Sequence, residues 1–294
     1  MGIKNLSKLL TRVASGCRFE KNLQNYTCYR VAIDTPIYMY KFAALTSGRP
    51  IKCFQAQLRE LRSHNIYPIY VFDGAVAPAK QEEISRRREQ RAGTRSAMVS
   101  AKAEYESMQR CGVMTRSHMR ELSIARQKYM KLRRRVSSIP TRLHYEQLRA
   151  FLRRENVPFV DADGDAEKVC ASLVASHEAD AVVTDDYDAL AYMATLADGR
   201  GKMLIGINRP TIIEYDVGLM LQIMELTEEE FVDMCILSGC DFCGKIRGIA
   251  CNRAYQLVKE HSSIENILLA LEDDDKYSIP EDFDYTRARA QFGL

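Results

Sequence analysis

The chain has 294 residues, 46% hydrophobic and 28% charged, with a formal net charge of +3, the balance of an ordinary globular protein with a sizeable core. No apolar run approaches the ~20 residues of a membrane span, and the start Met1-Gly2-Ile3-Lys4-Asn5-Leu6 carries neither a secretion signal nor the myristoylation pattern. Nine scattered cysteines in a chain of this size argue against a disulfide framework and for a reducing compartment.

An apolar run at 29–33 predicts a buried strand that ends on Asp34. Thr35-Pro36 follows, and proline at a first helical position loses no hydrogen bond, so a helix is predicted over 37–44. Another helix is expected over 53–64. A second strand, over 66–72 with Pro68 near its start, ends on Asp73 in Val71-Phe72-Asp73-Gly74. From Glu82 to about Arg135 the chain is polar, helix-prone and rich in arginine, with a break near Cys111-Gly112, which predicts an exposed pair of helices inserted into the fold. Further helices are predicted over 143–155 and 166–177, and further strands over 181–184, 203–207 and 211–215. Gly199-Arg200-Gly201 is the one plausible linker, and the chain turns helical after Leu226, with a glycine-containing turn at 247–251. Alternation of this kind predicts an α/β fold with a mostly parallel central sheet and flanking helices.

Charge is unevenly spread. Residues 80–135 hold 16 lysines and arginines against 6 glutamates, a local balance of +10 that leaves −7 for the remainder. A basic arm on a mildly acidic body suits a polyanionic ligand, although a solvated helical hairpin has the same composition.

The acids fall at the ends of strands. Asp34 and Asp73 close two of them, and Asp186 and Asp188 follow a third in Thr184-Asp185-Asp186-Tyr187-Asp188. Asp165 and Glu167 stand at a predicted helix entrance, where the helix dipole favours anions, and Asp241 lies in a Gly-Cys-Asp-Phe-Cys turn. A single acid of this kind is usually a cap or turn residue. Repetition at three strand ends weighs otherwise, because open α/β sheets bind ligands outside the carboxyl ends of their strands. Clustered carboxylates repel and persist when cations neutralise them. Oxygen donors without histidine favour Mg²⁺ or Mn²⁺, and two such ions about 4 Å apart suit phosphodiester hydrolysis. Cys240 and Cys243 have zinc-ligand spacing, but Cys235 and Cys251 make no standard second pair, so the thiols read as core residues. The five histidines sit in unrelated contexts.

These motifs also carry a resemblance. Met1 to Leu6, Val31 to Asp34, Val71 to Gly74, Asp161 to Glu167, Thr184 to Asp188 and Gly239 to Ile249 resemble the flap endonucleases of the XPG type, along the whole chain. The resemblance implies a PIN-like nuclease core with an inserted helical arch and a C-terminal helix–turn–helix region that binds duplex DNA. Residues 1–79 and 143–230 would form the nuclease regions, 80–142 the arch and 231–294 the duplex-binding part, all within one structural domain. It implies seven metal-site carboxylates: Asp34, Asp73, Asp165 and Glu167 around one ion, with Asp186, Asp188 and Asp241 around a second. Asp165 replaces a glutamate, keeping the charge and losing one methylene.

Lys80 and Arg87 match the basic pair placed over the scissile phosphate, seven residues apart on one helix face. Tyr40 matches an aromatic that stacks on a base near the cut, and Gly2 an N-terminus near the active site. Arg86, Arg88 and Arg91 are expected to face DNA from the arch, and Arg247, Gly248, Ala250 and Arg253 from the helix–turn–helix, with K⁺ nearby. There, Ala250 takes the place of a second glycine and Cys251 that of a proline; alanine tolerates positive φ poorly, which predicts an altered turn.

The stretch from Tyr40 to Asp73 is shortened, the arch is lengthened, and the sequence stops without a sliding-clamp motif, as suits a divergent member from a large DNA virus. The expected enzyme is a monomeric, Mg²⁺-dependent 5′ nuclease acting on 5′ flaps, nicks and gaps in DNA replication, repair or recombination. It would reside in the nucleus, or at a cytoplasmic replication site if viral. The alternatives are a 5′-3′ exonuclease or RNA-directed nuclease on the same fold and, from another class, a DNA-binding scaffold without catalysis.

Overall fold

The computed structural model describes residues 3, 5–75, 81–111, 115–272, 274 and 276–294, without the side chains of 81–84 and 87. Its strands are β1 (Arg18–Lys21), β2 (Arg30–Asp34), β3 (Tyr67–Phe72), β4 (Phe159–Asp161), β5 (Ala181–Val183), β6 (Lys202–Ile205) and β7 (Ile212–Asp216). The helices are α1 (Leu6–Val13), α2 (Thr35–Leu45), α3 (Ile51–Ser63), α4 (Gln81–Arg110), α5 (Arg116–Ser137), α6 (Arg142–Arg154), α7 (Ala166–Ala175), α8 (Asp188–Leu196), α9 (Val217–Met224), α10 (Glu228–Ser238), α11 (Cys251–His261), α12 (Ile264–Leu271) and α13 (Tyr285–Phe292). Among the described residues no helix is long and apolar enough to cross a membrane.

The strands form one mixed sheet in the order β1-β7-β6-β5-β2-β3-β4, parallel from β6 to β4 and antiparallel at β7 and β1. The mostly parallel α/β architecture is therefore as predicted. From β2 the chain builds outward through β3 and β4, then returns past β2 to add β5 and β6 on its other side. This reversal opens a crevice at the carboxyl ends of β2 and β5, the position where such sheets bind ligands.

Two compact units divide the chain. One comprises 1–37, 57–80 and 152–294; the other comprises 38–56 and 81–151. The first contains the sheet. Val31, Ala32 and Ile33 of β2 and Ala181, Val182 and Val183 of β5 are fully buried, as central parallel strands covered on both faces require. On α10, every residue from Phe231 to Ser238 is buried, and its start is fixed by a capping box between Thr227 and Glu230. Buried Asp233 accepts from Arg289 Nε at 2.7 Å and from the Ile264 amide at 3.0 Å, which ties α10 to α12 and α13.

In the second unit, α4 and α5 form an antiparallel hairpin in the arginine-rich stretch. Lys128 pairs with Glu104 at 2.8 Å, Tyr105 and Tyr129 stack with centroids 6.1 Å apart, and Ala101 and Ala125 are buried in the seam. Phe42 meets Phe54 edge-on at 4.8 Å in the same unit.

Several elements depart from the sequence reading, among them helices α1, α8 and α9, which it does not predict. β1 and β4 carry no strand signal in the sequence, because Arg-Phe-Glu-Lys is mostly charged and Phe-Val-Asp is only three residues long. β1 is held by tertiary contacts: buried Glu214 of β7 accepts from Lys21 Nζ at 2.8 Å and from the Tyr26 hydroxyl at 2.9 Å. β7 runs antiparallel, and Gly199-Arg200-Gly201 is a tight turn from α8 to β6 instead of a linker. Gly199 and Gly201 both have positive φ there, and a Cβ on Gly201 would lie 2.5 Å from Val174.

Candidate active site

Asp34 is the last residue of β2 and is 1% exposed. Thr184, one residue beyond β5, donates its hydroxyl to Asp34 Oδ2 at 2.6 Å, and the Ile37 amide approaches Oδ1 at 3.4 Å. Burial pushes the Asp34 carboxyl up to about 7; the Thr184 bond opposes this, and the charges of Asp73 and Asp186 add to it. Carboxylates from three strand ends therefore share one electrostatic neighbourhood at the crevice.

Asp73 follows β3, and its Oδ1 accepts from the Ala166 amide at 3.1 Å, at the N-terminus of α7. This contact depends on Gly74, whose amide donates to the Gly164 carbonyl at 2.8 Å. A Cβ on Gly74 would stand 1.7 Å from the Ala162 carbonyl oxygen, so only glycine lets the two loops approach. Asp165 is the N-cap of α7, yet its side chain makes no capping bond; its Oδ2 instead accepts the Tyr192 hydroxyl at 3.0 Å. Burial raises the Tyr192 phenol, and the charges of Asp165, Glu167 and Asp188 raise it further. Tyr192 thus marks a second gathering of acids, from the starts of α7 and α8.

Asp186 and Asp188 are buried. The Asp186 amide donates to Thr184 Oγ1 at 3.0 Å, and Asp188 Oδ1 accepts the Ile3 amide at 2.7 Å. Asp241 is half-buried in the loop after α10, between Cys240 and Cys243, whose sulfurs are 3.8 Å apart.

Six of the seven acids thus form two linked subsets within the sheet-containing unit, Asp34 with Asp73 and Asp186, and Asp165 with Glu167 and Asp188. Their donors are all carboxylate oxygens, which fits hard divalent cations. Among the described residues, no group of three or more His, Cys, Asp or Glu side chains stands in an arrangement that holds a metal ion outright.

The expected DNA contacts divide. Gly2, Lys80 and the Arg87 side chain lie outside the described residues; position 87 falls on α4. Arg86 and Arg88 are exposed on the same helix. Arg91 is joined to Tyr40: its Nη2 donates to the phenol oxygen at 2.7 Å, and the guanidinium lies 5.4 Å from the ring centroid.

In the turn before α11, Arg247 and Gly248 are exposed and Gly248 takes φ +91°. Ala250 does not take positive φ: it is extended at φ −123°, ψ 170°, as the N-cap of α11, so alanine costs no backbone strain there. The turn is braced by Tyr277. A Cβ on Gly248 would meet its ring at 3.3 Å, its hydroxyl accepts from Arg253 Nε at 3.2 Å, and the neighbouring Ser278 bridges Arg247.

Sequence reasoning missed Thr184, Tyr192 and Tyr277. Thr184 carried a signal, as the first polar residue after an apolar strand. Tyr192 stands four residues beyond Asp188, on the same helical face. Tyr277 carried none.

Comparison with known proteins matches residues 1–94 to the XPG N-terminal domain and residues 156–241 to the XPG I-region. Flap endonuclease 1 of Chlamydomonas reinhardtii is 33% identical over 99% of this chain and 72% of its own length. The catalytic core of Rad2 in complex with DNA substrate shares the fold with a TM-score of 0.67, at 20% identity over 94% of this chain and 74% of that one. The Holliday junction-resolving enzyme GEN1, solved with product DNA, Mg²⁺ and Mn²⁺, gives a TM-score of 0.58 at 18% identity over 98% of this chain and 63% of that one.

Proposed function

The chain belongs to the XPG family of structure-specific nucleases, and from that premise we propose that it hydrolyses DNA phosphodiester bonds where a 5′ single strand leaves a duplex, at 5′ flaps and related nicks and gaps. The observation that carries this reading is the meeting of Asp34, Asp73 and Asp186 from three strand ends at the crevice beside β2 and β5. A scaffold that only bound DNA would gain nothing from burying such mutually repelling groups.

Asp34, Asp73, Asp165 and Glu167 would hold one Mg²⁺ or Mn²⁺, and Asp186, Asp188 and Asp241 the other, some through water. Bound there, such ions would supply a water of lowered pKa and charge to neutralise the phosphodiester oxygens. The protein orients this site. Thr184 holds the Asp34 carboxylate, Tyr192 holds Asp165, and the Gly74 loop sets Asp73 against α7. Lys80 and Arg87 would stabilise charge that builds on the scissile phosphate. Tyr40, backed by Arg91, would stack on a base near the cut, while Arg86 and Arg88 draw the single strand along α4. Arg247, Gly248, Ala250 and Arg253 would meet phosphates of the uncleaved duplex, with K⁺ close by.

A panel of 5′-labelled flap, nicked, gapped and single-stranded DNAs, and of RNA counterparts, tests this with Mg²⁺ present. Wild type is expected to cut flaps near the junction, leaving a 5′-phosphate and a 3′-hydroxyl, and Asp186→Ala to leave them intact. Mononucleotide release from duplex ends or a preference for RNA would redirect the substrate assignment. Equal cleavage by wild type and Asp186→Ala would defeat the catalytic reading altogether.

A further inference from the structure

Cys240 and Cys243 enclose Asp241 in the segment Cys240-Asp241-Phe242-Cys243, and none of the steps above uses their thiols. Their sulfurs lie 3.8 Å apart, and neither residue is fully buried. A disulfide needs about 2.05 Å between sulfurs, so closing the pair demands a movement of under about 2 Å. The chain on either side resists that movement. Lys245 Nζ donates to the Ser238 carbonyl at 2.9 Å, ahead of the segment. After it, the Gly244 amide donates to the Asp282 carbonyl at 2.9 Å, and a Cβ on Gly244 would collide with the Asp282 carboxylate at 2.1 Å. Phe242 is buried and meets Phe292 edge-on at 5.2 Å. Closure therefore falls on the four residues themselves, and Asp241 is the acid within them.

We propose that Cys240 and Cys243 are a thiol–disulfide site whose oxidation displaces Asp241 and switches cleavage off. The oxidant is a low-molecular-weight disulfide such as oxidised glutathione. One cysteine, as its thiolate, attacks a sulfur of the oxidant and releases one thiol, leaving a mixed disulfide. The second cysteine then attacks the protein-bound sulfur and releases the other thiol. Both protein sulfurs are oxidised, the small disulfide is reduced to two thiols, and the two cysteine protons end on those thiols. The switching half of this proposal rests on the placement of Asp241 in the nuclease site; the dithiol chemistry stands on the sulfur geometry.

The test treats the purified full chain with oxidised glutathione, maps thiols by alkylation and mass spectrometry, and follows flap cleavage with Mg²⁺. The expected result is loss of two hydrogens at this pair and a fall in single-turnover rate of at least about tenfold, since a ~1 Å misplacement in an active site costs up to ~10²-fold. Dithiothreitol restores the rate. Cys240→Ser keeps the reduced wild-type rate and ignores the oxidant. The proposal is overturned if the pair stays reduced, if the disulfide forms and cleavage continues, or if Cys240→Ser is inactivated equally through exposed Cys28 or Cys111. A reduced wild type that cuts no DNA would refute the nuclease reading, and the switch with it. The thiol map separates that result from a failure of the dithiol chemistry.

Discussion

Asp34→Asn isolates the cost of the buried carboxyl at the crevice. In the folded chain that carboxyl is pushed from an ordinary value of 3.8 up to about 7, first by burial and then by Asp73 and Asp186. The folded state thus binds this proton more tightly than the unfolded chain. Its stabilising contribution is complete below about pH 4 and is lost as pH rises toward 7. At about 1.4 kcal/mol per pH unit, the loss amounts to roughly 4 kcal/mol. Asparagine keeps the acceptor for the Thr184 hydroxyl but does not titrate. Urea denaturation of EDTA-treated protein between pH 4.5 and 8 should therefore show Asp34→Asn gaining on wild type as pH rises, by about 3 kcal/mol over that window. Mg²⁺ at pH 8 should close most of that gap, adding about 2.7 kcal/mol to wild type at one hundred times its dissociation constant and little to the variant. Parallel pH profiles for the two proteins would refute the reasoning, as would an equal Mg²⁺ effect on both.

Thr184→Val removes the 2.6 Å donor from a buried carboxylate; a lost charged hydrogen bond of about 1.5–3 kcal/mol predicts a Mg²⁺ requirement raised roughly tenfold to a hundredfold in a cleavage titration. Gly74→Ala forces a methyl into the Ala162 carbonyl, and a loss of about 2 kcal/mol or more is expected in denaturation together with a sharp fall in kcat. Tyr277→Phe keeps the ring under Gly248 but releases Arg253. It should weaken binding of duplex-containing substrates about threefold to tenfold and add little in an Arg253→Ala background, because coupled residues are non-additive. Additive effects of those two substitutions would show that Tyr277 does not act through Arg253.

Much of this protein is determined by its sequence alone. Short apolar runs ending in Asp34, Asp73 and the 184–188 segment specify strands that stop where a charge begins, because a buried strand cannot carry an unpaired acid onward. The arginine-rich stretch specifies a helical hairpin, since it offers neither strand periodicity nor a wide apolar face. Tertiary structure decided the rest. Placing β2 between β3 and β5 is a matter of long-range pairing, and that order alone brings Thr184 onto Asp34. The polar β1 is a strand only because β7 and Glu214 receive it. Ala250 is unstrained because Gly248 takes the left-handed φ and Tyr277 braces the turn from nearly thirty residues away. Local composition records what a residue tolerates next to its chain neighbours. Which distant groups share its electrostatic field is settled only when the sheet closes around them.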